Sequence, residues 1–191
     1  MYFSLRTVTF NHKNVTGPKV SDWAAGYRDF DTTEEMNERL IEAMNVAKPD
    51  DVIYHLGDVC MGPKSLMPAL LDKIQCRNIH LIVGNHDIEG NKLEVIKYRF
   101  KSIQTTWEGK INSHYFYLHH YAQRVWNHSH EGSLHCFGHS HGSLPDDPNS
   151  LSIDVGFDTN LFDHEKYTMY HYDEIVEIMK KKDWKPVDHH R

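Results

Sequence analysis

Apolar positions along the chain follow two periods, and the switching between them predicts the elements. MYFSLRTVTF alternates apolar and polar residues as a half-buried strand does. A loop is expected from there to about Phe30. TTEEMNERLIEAMNVAK then places Met36, Leu40, Ala43, Met44 and Ala47 on one helical side, with Thr32 and Glu35 at capping-box spacing. Pro49 and the two aspartates after it end that helix. Val52 to Leu56 is a short apolar strand running into Gly57-Asp58. A second helix is predicted from about Ser65 to Ile74, with Leu66, Leu70, Leu71 and Ile74 on one face.

NIHLIVGNHD repeats the earlier pattern of buried strand, glycine and polar residues. NKLEVIKYRF reads as a helix, and SIQTTWEG with INSHYFYLHHY reads as a hairpin turning near Gly109. SLHCFGHSHG and LSIDVGF are further strands, and DEIVEIMKKK is a helix with Asp173 near its start and lysines in its last turn. The closing DHHR reads as a solvated tail. No repeat, low-complexity tract or linker interrupts the pattern, so residues 1–191 are expected to form one α/β domain with sheet covered by helices.

Composition narrows the function. A length of 191 residues with 25% charged and 39% hydrophobic residues is that of an ordinary globular domain. The formal charge of −6 argues against a broad nucleic-acid-binding surface, though not against a phosphate substrate, because bound cations supply positive charge locally. Cys60, Cys76 and Cys136 have no CxxC spacing, no run is apolar enough to span a bilayer, and the first residues lack a signal-peptide pattern. A cytoplasmic protein without disulfides or membrane contact is expected. The anomaly is histidine, 16 in all, a common metal ligand.

Potential ligands recur at four strand ends: Gly57-Asp58, Gly84-Asn85-His86-Asp87, His119-His120 and Gly138-His139-Ser140-His141. In an α/β sheet such ends gather along one rim. Each alone has an ordinary reading as a polar turn, an Asx-type cap or a pair of exposed histidines. Together they point to one shared site. In an extended segment His139 and His141 would face the same way, while His119 and His120 would face opposite ways, so only one of the latter pair is expected at the site. The chemistry is that of a hydrolytic metal centre: a carboxylate bridges cations about 3.5–4 Å apart while imidazoles and an amide oxygen complete the shells. Oxygen and nitrogen donors without thiolate suit Mn, Fe, Zn or similar ions. His86 is positioned to protonate a leaving oxygen or to hold a phosphoryl oxygen.

At these residues the chain resembles the calcineurin-like metallophosphoesterase superfamily, whose signature runs D-x-H, G-D, G-N-H-D/E, H and G-H-x-H. The match extends from Gly57 to His141, and FNHKN, EEMNERLIEAMN, YHLGDV and HYAQRVW resemble small bacterial and phage members. The resemblance implies a four-layer α/β/β/α sandwich with metals at the strand ends. It implies Asp58 as the bridging ligand, Asn85, His120 and His139 around one metal, His141 on the other, and His86 as catalytic acid or phosphate contact. A phosphate-ester small molecule or nucleotide is the implied substrate. The sequence carries no sign of oligomeric state.

The first motif is missing. Aligned on Phe10-Asn11-His12, its Asp and His fall on Thr7 and Thr9, and no nearby Asp or His repairs the register. One cation is therefore expected to be held firmly and the second weakly or not at all, with His12 a possible substitute ligand, phosphate contact or plain surface residue. Changing Thr7→Asp with Thr9→His is expected to raise bound metal toward two per chain. The two function classes are a metal-dependent phosphoesterase and a non-catalytic descendant serving as a binding or structural protein. Arg28 and Arg124 stand near motif segments, where each could grip phosphate oxygens or form an ordinary salt bridge. Trp126 and Tyr121 could stack on a base or close the core.

Overall fold

The computed structural model describes residues 3–26, 28–159 and 167–188. Its first sheet consists of β1 (Phe3–Arg6), β2 (Val52–His55), β3 (Ile79–Ile82), β4 (Ser102–Gln104) and β9 (Tyr170–His171), in the order β4-β3-β2-β1-β9. All pairings are parallel except that of β9, which lies antiparallel to β1. The second sheet holds β5 (Thr106–Ile111), β6 (His114–His119), β7 (Leu134–Phe137) and β8 (Ser152–Asp154) in sequence order. There β5 and β6 are antiparallel and the other pairings parallel.

Alternation along the strands divides the core in two. Ile53, Ile79 and Leu81 face a cluster with Met36, Leu40 and Met44 of α2 (Thr33–Met44), Met67 and Leu71 of α3 (Met67–Leu71) and Ile96 of α4 (Lys92–Ile96). Val52, Tyr54 and Ile82 face the other way, onto Phe116, Leu118, Cys136 and Ile153 of the second sheet and onto Ile175 and Ile178 of α5 (Tyr172–Lys180). The molecule is thus a mixed α/β fold of two sheets with flanking helices. Among the described residues no helix is long and apolar enough to cross a membrane. Cys60, Cys76 and Cys136 are free and buried.

Several local expectations change. β1 is buried on both faces, not half-buried: Leu5 packs into the cluster against the second sheet, and Ser4 and Arg6 on the other face are covered as well. Its polar positions lie inside, and the fully buried Arg6 guanidinium sits 4.6 Å from the Phe157 ring centre. The loop after β1 contains a single helical turn, α1 (Lys13–Thr16). Thr32 caps α2 by accepting the Glu35 amide at 3.1 Å, but the Glu35 carboxylate takes the Asp31 amide rather than that of Thr32. The second predicted helix begins as a 3-10 turn at Lys64–Leu66, which turns Leu66 outward and puts Met67 into the core. The predicted helix over NKLEVIKYRF is α4 with 3-10 turns on either side.

The predicted hairpin is present as β5 and β6, but its turn comes later and the first arm is divided into β4 and β5. β4 stays in the first sheet, only Thr105 separates it from β5, and Gly109 lies mid-strand opposite Phe116. Asn112 and Ser113 make the turn. His189, His190 and Arg191 of the expected tail lie outside the described residues.

Candidate metal centre

The carboxyl ends of β2 and β3 lie side by side, and each continues into glycine and a polar residue. The two glycines let the loops touch. Gly57 has φ +91°, and a Cβ there would lie 2.5 Å from the Gly84 amide and 2.7 Å from the His120 ring. A Cβ on Gly84 would overlap the Asp58 carboxylate. Between the loops lies Asp87, whose buried carboxylate accepts the amides of Asp58 (2.9 Å), Val59 (2.8 Å) and Gly84 (2.8 Å). Its burial nevertheless pushes its pKa up. Asp58 is thereby held at φ +55°, a conformation that aspartate tolerates better than most residues.

From the second sheet, β6 delivers His120 rather than His119. The Nδ1 of His120 lies 2.6 Å from the Leu56 carbonyl, to which it donates, leaving Nε2 to meet Asp58 Oδ2 and Asn85 Oδ1, each at 3.2 Å. His119 turns instead to the Tyr121 backbone. Burial works against a charged His120, but the bond and charge of Asp58 outweigh it and its pKa is raised. Burial likewise opposes the Asp58 carboxylate, and His120 and the His86 amide override it, so that pKa is lowered. Asp58 Oδ1 accepts the His86 amide at 2.9 Å. Tyr121 donates its hydroxyl to Asn85 Oδ1 at 3.0 Å and packs edge-on to His139.

Asp58, His120 and His139 offer ligand atoms that all lie within 4.8 Å of one another. The donor set fits a divalent cation. A carboxylate, an imidazole Nε2 whose ring partner Nδ1 is committed to a carbonyl, a second imidazole and an adjacent amide oxygen lie together, and a metal would take the place of the proton that His120 shares with Asp58. Burial, then the neighbouring His120, lowers the His139 pKa, favouring the neutral form that a metal takes.

His141 goes elsewhere. The GHSHG loop is not extended: His139 and His141 have φ +63° and +48°, so strand alternation does not set their directions, and both rings line one cavity although only His139 joins the Asp58–His120 cluster. His141 Nδ1 lies 2.7 Å from Asp158 Oδ2. Asp158 is also gripped by Arg28, Nε to Oδ1 at 2.6 Å and an Nη to Oδ2 at 3.1 Å. Burial opposes the Asp158 charge, but Arg28 and His141 hold its pKa far below the usual carboxylate range. Arg28 is buried, so its guanidinium is committed to a salt bridge and not presented to a phosphate.

An open cavity of about 670 Å³ connects these groups and is lined by His12, Trp23, Asp58, His86, His139 and His141. His86 Nδ1 bonds Glu89 at 3.0 Å, which leaves its Nε2 for the cavity. His12 is edge-on to His141, and burial, then the His141 charge, drops its pKa to about 4. Arg124 is exposed and lines a different cavity, with Trp184. Trp126 closes the core and donates its indole N–H to Ser133 Oγ at 2.8 Å. The sequence reading missed Asp158, and two residues it named take other tasks: Asp87, of the GNHD run, anchors two loops through backbone amides, and Tyr121 donates its hydroxyl to Asn85. Nothing in the sequence signalled Asp158.

No curated protein matches the chain. A solved structure from Aquifex aeolicus, a protein of unknown function designated AQ665, is similar over 93% of this chain and 98% of its own, with a TM-score of 0.59 and 16% identity, a likeness of fold. The family model described as calcineurin-like phosphoesterase matches residues 20–191, which leaves Thr7 and Thr9 outside and takes in every strand end that feeds the cluster. With its motif residues gathered at one rim and nearly its whole length matched, the chain belongs to the calcineurin-like phosphoesterase family.

Proposed function

We propose that the protein is a metal-dependent phosphoesterase that holds one divalent cation, of the Mn, Fe or Zn kind, between Asp58, Asn85, His120 and His139, and hydrolyses a phosphomonoester or phosphodiester. The observation that carries this reading is the convergence of Asp58, His120 and His139 while a carbonyl bond fixes the His120 tautomer. Two packed sheets with flanking helices support the mixed α/β architecture of the family.

The cation would polarise a phosphoryl oxygen and lower the pKa of attacking water. The chain's own groups supply the rest. Leu56 and Asp87 hold His120 and Asp58 in place, so no reorganisation accompanies the reaction. His86, oriented by Glu89, faces the cavity with Nε2 and is placed to hand a proton to the leaving oxygen or to steady a phosphoryl oxygen. The open cavity admits a small phosphate ester or nucleotide.

The test is hydrolysis of a chromogenic phosphodiester and a monoester by chelator-stripped protein reloaded with Mn²⁺ or Zn²⁺, beside Asp58→Asn. Metal-dependent turnover that Asp58→Asn abolishes is the expected result. Replacement of the first motif by Thr7 and Thr9 favours a second reading, a non-catalytic binding descendant. Tight metal binding with no turnover on any ester of a broad panel would support it.

A further inference from the structure

The position beside the Asp58–His120–His139 cluster, where the family would hold a second ion, does not suit one. Thr7 and Thr9 supply neutral hydroxyls there, both buried and neither with a hydrogen-bond partner among the described residues. Thr7 Oγ1 packs directly on Gly138, in the space a Cβ at that glycine would take. The anionic side chain bonded to His141 is Asp158, and it is already occupied. Arg28 takes both of its oxygens in a bidentate pair whose guanidinium is 1% exposed, and His141 takes one of them again. The third Arg28 nitrogen faces the Thr9 carbonyl at 3.4 Å. An ion entering here would have to break a buried ion pair and leave the guanidinium uncompensated.

We propose that this centre is built for one ion, because Arg28 closes the neighbouring position by engaging Asp158 and, through it, His141. The inference rests on the metal reading above and deepens it. His141 becomes a residue positioned on the cavity wall instead of a metal ligand. The same geometry changes what repair requires. Placing Asp and His at positions 7 and 9 adds a carboxylate and an imidazole without releasing Asp158 or His141 from Arg28, so the double change alone adds no second ion.

The full-length chain, stripped with chelator and reloaded with Mn²⁺ or Zn²⁺, is dialysed and its metal counted by plasma mass spectrometry, with affinities from titration calorimetry. One ion per chain is expected. His139→Ala should weaken it by at least about 10-fold, as loss of a ligand does, whereas His141→Ala should leave affinity within about twofold. Arg28→Met frees Asp158 and His141 beside His12, and should take up a second ion, as should Thr7→Asp/Thr9→His/Arg28→Met. Thr7→Asp/Thr9→His alone should stay at one. Two tight ions in the unmodified protein, or His141→Ala weakening metal as much as His139→Ala, overturns the inference while leaving a metal-dependent esterase standing. So does an Arg28→Met chain that folds and still binds one ion. If Arg28→Met does not fold, the unmodified count and His141→Ala decide the matter. A chain that binds no ion at all overturns the metal reading itself, and this inference with it.

Discussion

The carboxylate of Asp87 accepts the backbone amide of Asp58 at 2.9 Å, so one acidic residue sets the conformation of the other. With the Val59 and Gly84 amides on the same carboxylate, Asp87 joins the loops after β2 and β3. A carboxamide in its place has one acceptor oxygen and turns its NH₂ toward an amide donor. Asp87→Asn should therefore cost roughly 1–3 kcal/mol of stability, as an unsatisfied buried donor does. It should also weaken metal binding by about 10–100-fold, as loss of an outer supporting bond does. Urea unfolding and calorimetry check both, and unchanged values would show that the two loops hold themselves.

Adjacent histidines on β6 should behave oppositely. His120→Ala removes a ring wedged between Leu56, Asp58 and Asn85, and should abolish metal uptake. His119→Ala removes a ring turned to the Tyr121 backbone and should leave uptake nearly unchanged. Metal content after dialysis separates them, and equal losses would contradict the assignment.

For His86, the backbone and the ring have separate tasks. Its amide bonds Asp58 and survives mutation, whereas its ring faces the cavity. His86→Ala should lower turnover by about 10²–10⁴-fold, the usual range for an acid–base group, with metal content intact. Metal lost in parallel with activity would make the ring a structural support instead.

Acid should destabilise the fold through two buried imidazoles that are not in the donor set. His55 is held by the Val8 carbonyl and the Gly57 amide, and His135 by the Tyr117 carbonyl and the Gln123 amide. Burial lowers each pKa from 6.5 to about 4. Below pH 6.5 the unfolded chain takes up protons that the folded chain refuses. Their stabilising contribution is complete above about pH 6.5 and is lost as pH falls toward 4, by up to roughly 3 kcal/mol each. Urea midpoints of the metal-free protein should fall across that window and fall less in His135→Gln. A flat profile would rule out neutral buried imidazoles.

The strand ends were legible in the sequence because a parallel sheet gathers the carboxyl ends of its strands, so short apolar runs ending in glycine and polar residues mark one rim. The α2 side facing the core was legible for a similar reason, its period being that of a helix with buried Met36, Leu40 and Met44. The misplaced turn and undivided first arm of the hairpin have a physical cause. Ser102 to Ile111 is continuously strand-like, and nothing local marks Thr105 as the point where the chain leaves one sheet for the other. The separate partners of His139 and His141 rest on left-handed backbone angles at the histidines themselves, which nothing in the local sequence encodes. The Arg28–Asp158 pair joins residues 130 positions apart, with no motif at either end. Such pairs emerge only from tertiary packing.

The short crossing at Thr105 gives the cluster a further character. Asp58 and Asn85 grow from one sheet, while His120 and His139 grow from the other, so the four donors straddle the seam between them. The cluster is therefore a gauge of how the sheets are aligned. A change at Ile82 or Phe116, buried on opposite sides of that seam, would misalign the halves and be felt first as lost donor geometry at the rim, before either sheet itself came apart.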